Sequence, residues 1–276
     1  MSFFQFRKFK VEHDHSTLKV GTDAILLACW VDLSHLSSKS KLLDIGCGCG
    51  IISLMLAQRT ETLRLKQAIE AIDIEEPSCR EALHNVLFSP WPNSVNISCI
   101  DFKDYVPFAP SHSFDLLISN PPFFSDSLKS TDVSKAKAKH NDVLPFSTLI
   151  AGSLRLLSDD GRLCLILPMQ EIPYFEQQLS KRAYMEELSY LGIEKRRSFQ
   201  ILRYTKVYTK IGKDCSRVLL ELGVNTQNIN VEEKGLIVSN KGIPLLTQGQ
   251  GQGLCIQTVD GTYTKEYQKM TEEFYL

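Results

Sequence analysis

The sequence predicts an α/β fold: seven strands in a mostly parallel sheet, helices on both faces, and an antiparallel strand at one edge. Three observations carry this. Short apolar runs with strand character alternate with segments of helical spacing, the pattern of parallel strands joined by helical crossovers. The last two strand-like runs have no helix between them, so they should pair antiparallel at an edge. Every polar cluster falls directly after a strand, where open α/β sheets bind their ligands.

The elements follow in order. Gly21-Thr22-Asp23 precedes the apolar run Ala24–Val31, with Asp23 placed to cap a short helix. Lys41–Ile45 reads as a buried strand, Gly46–Gly50 as a turn and Ile51–Gln58 as a helix. Ala68–Ile74 alternates as a second strand, and Glu75–Phe88 groups Ala82, Leu83, Val86 and Leu87 at helical spacing. Ser89-Pro90-Trp91-Pro92-Asn93 breaks the chain before a third strand, Val95–Ile100. Phe114–Ser119 is the fourth, and the lysine-bearing stretch Ser125–Asp142 reads as a loop. Phe146–Leu157 is helical, Gly161–Leu167 the fifth strand and Ile172–Tyr184 a helix. Leu188–Glu194 and Val218–Leu222 complete the sheet, separated by a basic, aromatic segment. Gln248–Gly253 reads as a flexible link to a C-terminal tail.

Composition narrows the function. A chain of 276 residues holds one such domain with an appendage, and 43% hydrophobic residues are enough for a sizeable core. The net charge of −1 gives no global positive field, so a polyanionic partner needs a local basic face. The start, Met1–Lys10, is aromatic and basic rather than a signal peptide, and no stretch has the length of a membrane span. Among eight cysteines only Cys47 and Cys49 lie close together, and no second pair completes a metal site. The expectation is a reduced, cytoplasmic protein without membrane or metal.

Four strand ends carry candidate chemistry. Asp44-Ile45-Gly46-Cys47-Gly48-Cys49-Gly50 is a glycine turn between strand and helix. Ile51 occupies the third glycine position of a dinucleotide fingerprint, which argues against a nicotinamide dehydrogenase, and the Gly-Lys-Ser/Thr of a P-loop is absent. An acidic residue entering the turn suits a ligand bearing an ammonium group. Asp73 ends the second strand, where a carboxylate can accept ribose hydroxyls. Asp101-Phe102 pairs an acceptor with an aromatic face, as an adenine would need. Each acidic end taken singly also suits a helix cap. Asn120-Pro121-Pro122-Phe123 is the most specific cluster. Two prolines fix the backbone and remove two donors. The Asn120 amide oxygen and Pro121 carbonyl can together accept both hydrogens of an exocyclic amine, while Phe123 stacks on the base.

These residues resemble the class I S-adenosylmethionine methyltransferases acting on amino groups, a Rossmann-like fold. The resemblance implies Asn120, Pro121, Pro122 and Phe123 as catalytic residues. It implies S-adenosylmethionine contacts at Lys19, Thr22, Asp44, Gly46, Cys47, Gly48, Gly50, Asp73, Ile74, Asp101, Phe102 and Asn120. Phe6-Arg7-Lys8-Phe9, His13-Asp14, the run Lys19–Leu27, Ser89–Asn93 and the ending Glu273-Phe274-Tyr275-Leu276 resemble the bacterial tRNA1(Val) adenine N6-methyltransferase family over nearly the whole chain. That family methylates the adenosine beside the anticodon. Phe123 stands where it usually has Tyr, and Glu273 where Asp is expected. The implied organisation is an N-terminal extension, 1–40, packing on the cofactor site, a methyltransferase domain, 41–223, and a tail, 224–276.

Glu194–Lys213 holds seven Lys or Arg against one Glu, with Phe199, Tyr204 and Tyr208 interleaved, a composition for phosphate contact and base stacking. Arg196, Arg197, Arg203 and Lys206 are its candidate RNA contacts, joined by Lys135, Lys139 and His140 after the tetrapeptide. The partner implied is the anticodon stem-loop of tRNA, bound by a monomer or weak homodimer. His13 suits either substrate contact or a structural role. Methylation of a guanine amine in ribosomal RNA or of a protein glutamine remains open, as does a catalytically silent RNA-binding module.

Overall fold

The computed structural model describes residues 2–16, 19–122, 144–180, 197–226 and 250–275. An N-terminal hairpin, β1 (Phe3–Gln5) and β2 (Lys10–Glu12), precedes α1 (Thr22–Trp30). Then come β3 (Leu42–Ile45), α2 (Ile51–Thr60), β4 (Ile69–Asp73), α3 (Glu76–Leu87) and β5 (Val95–Cys99). A short α4 (Phe102–Tyr105), β6 (Phe114–Ser119), α5 (Phe146–Leu156), β7 (Leu157–Pro168) and α6 (Ile172–Ser180) follow. The chain finishes with β8 (Ser198–Lys210), β9 (Cys215–Asn225), β10 (Gln250–Gln257) and α7 (Lys265–Thr271).

The described strands of the main sheet stand in the order β10-β8-β9-β7-β6-β3-β4-β5. The α/β architecture is as the sequence predicts, with two differences. The sheet has eight described strands rather than seven, and the antiparallel strand is internal. β9 pairs antiparallel with both β7 and β8, while β10 pairs parallel with β8. All strands but β9 therefore point the same way. The carboxyl ends of β3, β4, β6, β8 and β10 share one rim.

Strand alternation sends side chains into two cores. Leu42, Leu116, Ile118 and Ile166 pack with α1, α2 and α3, whereas Leu43, Leu117, Leu165 and Leu167 pack with α5 and α6. β3 is buried throughout because helices cover both of its faces.

Several expectations are corrected. Gly21, not Asp23, is the N-cap of α1; Asp23 instead accepts from Arg217 Nε at 2.7 Å, tying α1 to the start of β9. The basic segment expected to connect strands is itself β8. Phe199, Thr205 and Val207 turn inward along it, and its charges lie between them. Gln250–Gly253 of the stretch expected as a link belong to the edge strand β10, paired with β8. The expected strand Leu188–Glu194, the end of the helix drawn to Tyr184 and the loop Ser125–Asp142 lie outside the described residues.

Three sequence-distant segments meet in one aromatic cluster. Phe6 stacks on Phe9 with centroids 4.7 Å apart, Phe9 meets Trp91 edge-on at 5.6 Å, and Phe6 lies 6.4 Å from the parallel ring of Tyr275. The opening, the Ser89–Asn93 loop and the C-terminus are thus one packing unit.

Candidate functional site

The glycine turn is built for close approach. Gly46 and Cys47 N–H donate to the Ile72 carbonyl, both at 2.9 Å, which lays the turn across the end of β4. Gly46 and Gly48 have φ of +73° and +54°, a region L side chains rarely enter, and a Cβ on either would point into open space. Gly50 is different: with φ +81° it caps α2, and a Cβ there would come 3.2 Å from that of Ala82. The thiols of Cys47 and Cys49 are buried, so Cys47 presents backbone to the rim. Burial pushes Cys49 up to about 12.

Asp44 is fully buried. Its Oδ2 accepts from Ser53 Oγ at 2.5 Å, while Oδ1 is buried without a hydrogen-bond partner. Burial pushes its carboxyl up to about 7, against the Ser53 hydrogen bond and helped by the charge of Asp73. Such a carboxylate is completed by a cation.

Asp73 accepts from Gly48 N–H at 2.8 Å and Glu75 N–H at 2.9 Å, leaving a lone pair on each oxygen. Ile74 beside it is 50% exposed, an apolar face on the rim. Asp101 caps α4 through Lys103 N–H at 2.9 Å, and Lys103 Nζ lies 3.3 Å from its other oxygen. The expectation for Phe102 is corrected. Its ring is buried in the second core against Gly152 and Val106, and offers no stacking face at the rim.

β6 delivers the fourth cluster. Ser119 Oγ donates to the Ile45 carbonyl at 2.7 Å, locking the end of β6 to that of β3. Asn120 follows, and its Oδ1 is buried with no hydrogen-bond partner. Pro121 is buried and Pro122 exposed, while Phe123 lies outside the described residues. Two orphaned acceptors, Asp44 Oδ1 and Asn120 Oδ1, therefore stand at the ends of adjacent paired strands.

The N-terminal segment is anchored by residues the sequence reading passed over. Asn85 Nδ2 donates to the carbonyls of Cys49, at 2.9 Å, and Glu12, at 2.8 Å, and its Oδ1 accepts from Glu12 N–H. Glu81 accepts from the His15 and Ser16 N–H groups at 2.9 and 2.8 Å. Both are buried polar residues one turn apart on α3, a spacing that marks a shared face. His13 is structural here, Nδ1 accepting from Val20 N–H at 3.3 Å. Lys19 and Thr22 are exposed at the start of α1, and no hydrogen bond joins them to Asp44 or Asp73 among the described residues. Thr22 instead lines a separate cleft of about 1010 Å³ with residues of the C-terminal segment.

The expected RNA contacts divide. Arg197 is buried, paired with Asp159 and donating to the Leu157 carbonyl at 2.6 Å. It precedes β8, at the opposite edge of the sheet from the rim. Arg203 pairs with buried Glu221, lies 3.8 Å over the Trp30 ring and donates to the Trp30 carbonyl at 2.8 Å. Both are structural, which corrects the expectation. Lys206 is half-buried, toward the rim end of β8. Arg196, Lys135, Lys139 and His140 lie outside the described residues.

Comparison with known proteins gives the family and the fold. Residues 15–201 match the family model of the methyltransferase small domain. A tRNA1(Val) (adenine(37)-N6)-methyltransferase of Trichodesmium erythraeum is 33% identical over 99% of this chain and 97% of its own length. Proteins of the same name from Bacteroides fragilis and Aeromonas hydrophila are 34% and 33% identical, over 99% and 100% of this chain and 98% of each relative. Among solved structures, a predicted O-methyltransferase of Agrobacterium tumefaciens superposes with a TM-score of 0.60 at 15% identity, over 91% of this chain and 96% of that one. TYW2 of Pyrococcus horikoshii, solved with MeSAdo, gives 0.50 at 13%, over 82% and 72%. Those two likenesses show the fold alone. No helix among the described residues is long and apolar enough to cross a membrane. With a methyltransferase family model matched over residues 15–201 and relatives above 30% identity over nearly its whole length, the chain belongs to the tRNA1(Val) (adenine(37)-N6)-methyltransferase family.

Proposed function

We propose that the protein transfers a methyl group from S-adenosylmethionine to N6 of adenosine 37 in tRNA1(Val). The observation that carries the chemistry is Asn120 Oδ1, buried without a partner directly before Pro121-Pro122. A buried unpaired acceptor is costly unless a ligand donor completes it.

The residues present fit the cofactor. The unpaired Asp44 oxygen answers the charge of its cationic amino-acid end, and the space over Gly46 and Gly48 admits it against bare backbone. Asp73 keeps lone pairs for the ribose hydroxyls, and Ile74 offers an apolar face for the adenine. Asp101, which also faces Lys103, is assigned as the acceptor for the adenine amine. When bound, S-adenosylmethionine supplies a methyl group on a cationic sulfur, open to in-line displacement.

The chain's own residues do the rest. Asn120 Oδ1 accepts one hydrogen of the substrate amine and the Pro121 carbonyl the other. Holding both hydrogens turns the nitrogen lone pair out of conjugation with the ring and toward the methyl group. Orientation and preorganised acceptors carry the rate. A strong general base is unnecessary, since the amine proton becomes acidic as the N–C bond forms and is lost to solvent water. Phe123 is assigned the stacking role, and Ser119 is a positioning residue that fixes where Asn120 leaves the sheet. The partner is the anticodon stem-loop of a cytoplasmic tRNA, bound by a monomer or weak homodimer.

Incubation with methyl-labelled S-adenosylmethionine and bulk tRNA, followed by digestion to nucleosides, tests the reading. Label in N6-methyladenosine is expected. Label confined to guanosine or to protein contradicts the substrate, and cofactor binding without transfer indicates a silent module.

A further inference from the structure

A second cleft lies apart from the glycine turn. Its walls are the N-terminal hairpin, the first turn of α1, the end of β8 and the C-terminal segment through β10 and α7, and its volume is about 1010 Å³. β8 and β10 end on the same rim as β3 and β6, so the cleft's walls at Thr209 and Gln257 stand at the edge that carries Asp44 and Asn120. The Asp23–Arg217 ion pair fixes the first turn of α1 to the start of β9 between the two.

Its lining is cationic and aromatic. Arg7, Lys265 and Lys269 contribute three positive charges against one carboxylate, Glu272. All three cations are exposed, and none has an ion-pair partner among the described residues. The contrast with the buried, paired Arg197 and Arg203 is direct. Tyr263, 50% exposed, shows a ring to the cleft, held 4.9 Å from that of Tyr267. Unpaired cations beside an exposed aromatic ring are the chemistry of a nucleic-acid backbone site. Holding the chain in place near the rim is what delivering one nucleotide to Asn120 requires.

We infer that this cleft seats the tRNA strand flanking the target nucleotide, with Arg7, Lys265 and Lys269 on phosphates and Tyr263 on a base or ribose face. The inference rests on the chain acting on tRNA, and it moves the RNA contact from the amino end of β8 to the joined chain termini.

The test compares the wild type with Lys265→Glu/Lys269→Glu, measuring binding of full-length tRNA across a salt series and S-adenosylmethionine affinity in the same preparations. The expected result is a loss of tRNA affinity of about tenfold or more and a log K against log salt slope flatter by about 1.4–1.8, one phosphate contact per lysine. Cofactor affinity should stay within about twofold. Lys265→Ala/Lys269→Ala, milder for α7, should flatten the slope equally with a smaller affinity loss. Unchanged tRNA affinity and slope in both variants overturn the inference. A wild type that binds tRNA yet methylates no adenosine refutes the functional reading while leaving this comparison intact. One that binds no tRNA sinks both.

Discussion

The two halves of the sheet treat their polar groups in opposite ways. Around β8 and β9 the buried charges are many and mostly paired, although Arg197 Nε and Ser198 Oγ lack partners. Buried Glu221 is shared by Arg162 and Arg203, Arg162 also reaches Asp32 at 3.2 Å, and Arg203 is clamped by Trp30. Around β3 and β6 the polar groups are few, and two of their acceptors, Asp44 Oδ1 and Asn120 Oδ1, are left without partners beside a turn with open space above it. Charge density read along the chain favours the first region. Two unpaired acceptors at neighbouring strand ends, beside a turn with open space above it, favour the second. An unpaired buried acceptor persists only if something repays its desolvation, whereas a neutralised ion pair asks for nothing further.

That contrast can be broken by perturbing each side. The largest effect is expected on the satisfied side. Glu221→Gln removes the shared counter-charge of two arginines and should cost about 3–5 kcal/mol in denaturant unfolding, with S-adenosylmethionine affinity unchanged. A loss below about 1 kcal/mol would show that the network is not structural.

On the unsatisfied side, Asp44→Asn should weaken S-adenosylmethionine binding about ten- to hundredfold, the worth of a charge-assisted hydrogen bond. The pH dependence sharpens this. Burial lifts the Asp44 carboxyl from the ordinary 3.8 to about 7, so the folded chain holds that proton more tightly than the unfolded chain does. Stability of the ligand-free protein from this group is therefore present below the ordinary value and lost as pH rises through 7. A cationic ligand selects the ionised form, so its affinity should rise between about pH 5.5 and 7.5, where an α-amino group stays protonated. Calorimetric titration should find that rise in the wild type and a flat profile in Asp44→Asn.

The smallest effect belongs to the turn. Gly48→Ala places a Cβ at φ +54° with nothing within 4 Å, so its stability cost is conformational, about 1 kcal/mol or about 2 °C in Tm. A weakened cofactor affinity well beyond that cost would mark the space above Gly48 as ligand space.

How far the sequence could be read depended on whether the signal was local. β3, the glycine turn and α2 are one continuous pattern, and Asn120-Pro121-Pro122 directly follows the strand that places it, so both were legible. β8 was not, because its charges mask the inward alternation of Phe199, Thr205 and Val207. β10 was not, because Gln-Gly repeats carry little strand propensity. Gly251 makes sense only once Tyr204 of the neighbouring strand lies over it, a contact made across some fifty residues of chain. Phe102 read as a ligand face because adjacency to Asp101 says nothing about which side of the sheet a ring enters. The fate of Arg197 and Arg203 depended on Asp159 and Glu221, distant in sequence and close in the fold.

The most direct test of the central claim is Asn120→Ala, assayed in one preparation for S-adenosylmethionine binding and for methyl transfer to tRNA. The account predicts cofactor affinity within about threefold of wild type and a transfer rate lower by about 10²–10³ or more, as for loss of a preorganised transition-state contact. Transfer at the wild-type rate, with the cofactor bound, would contradict it.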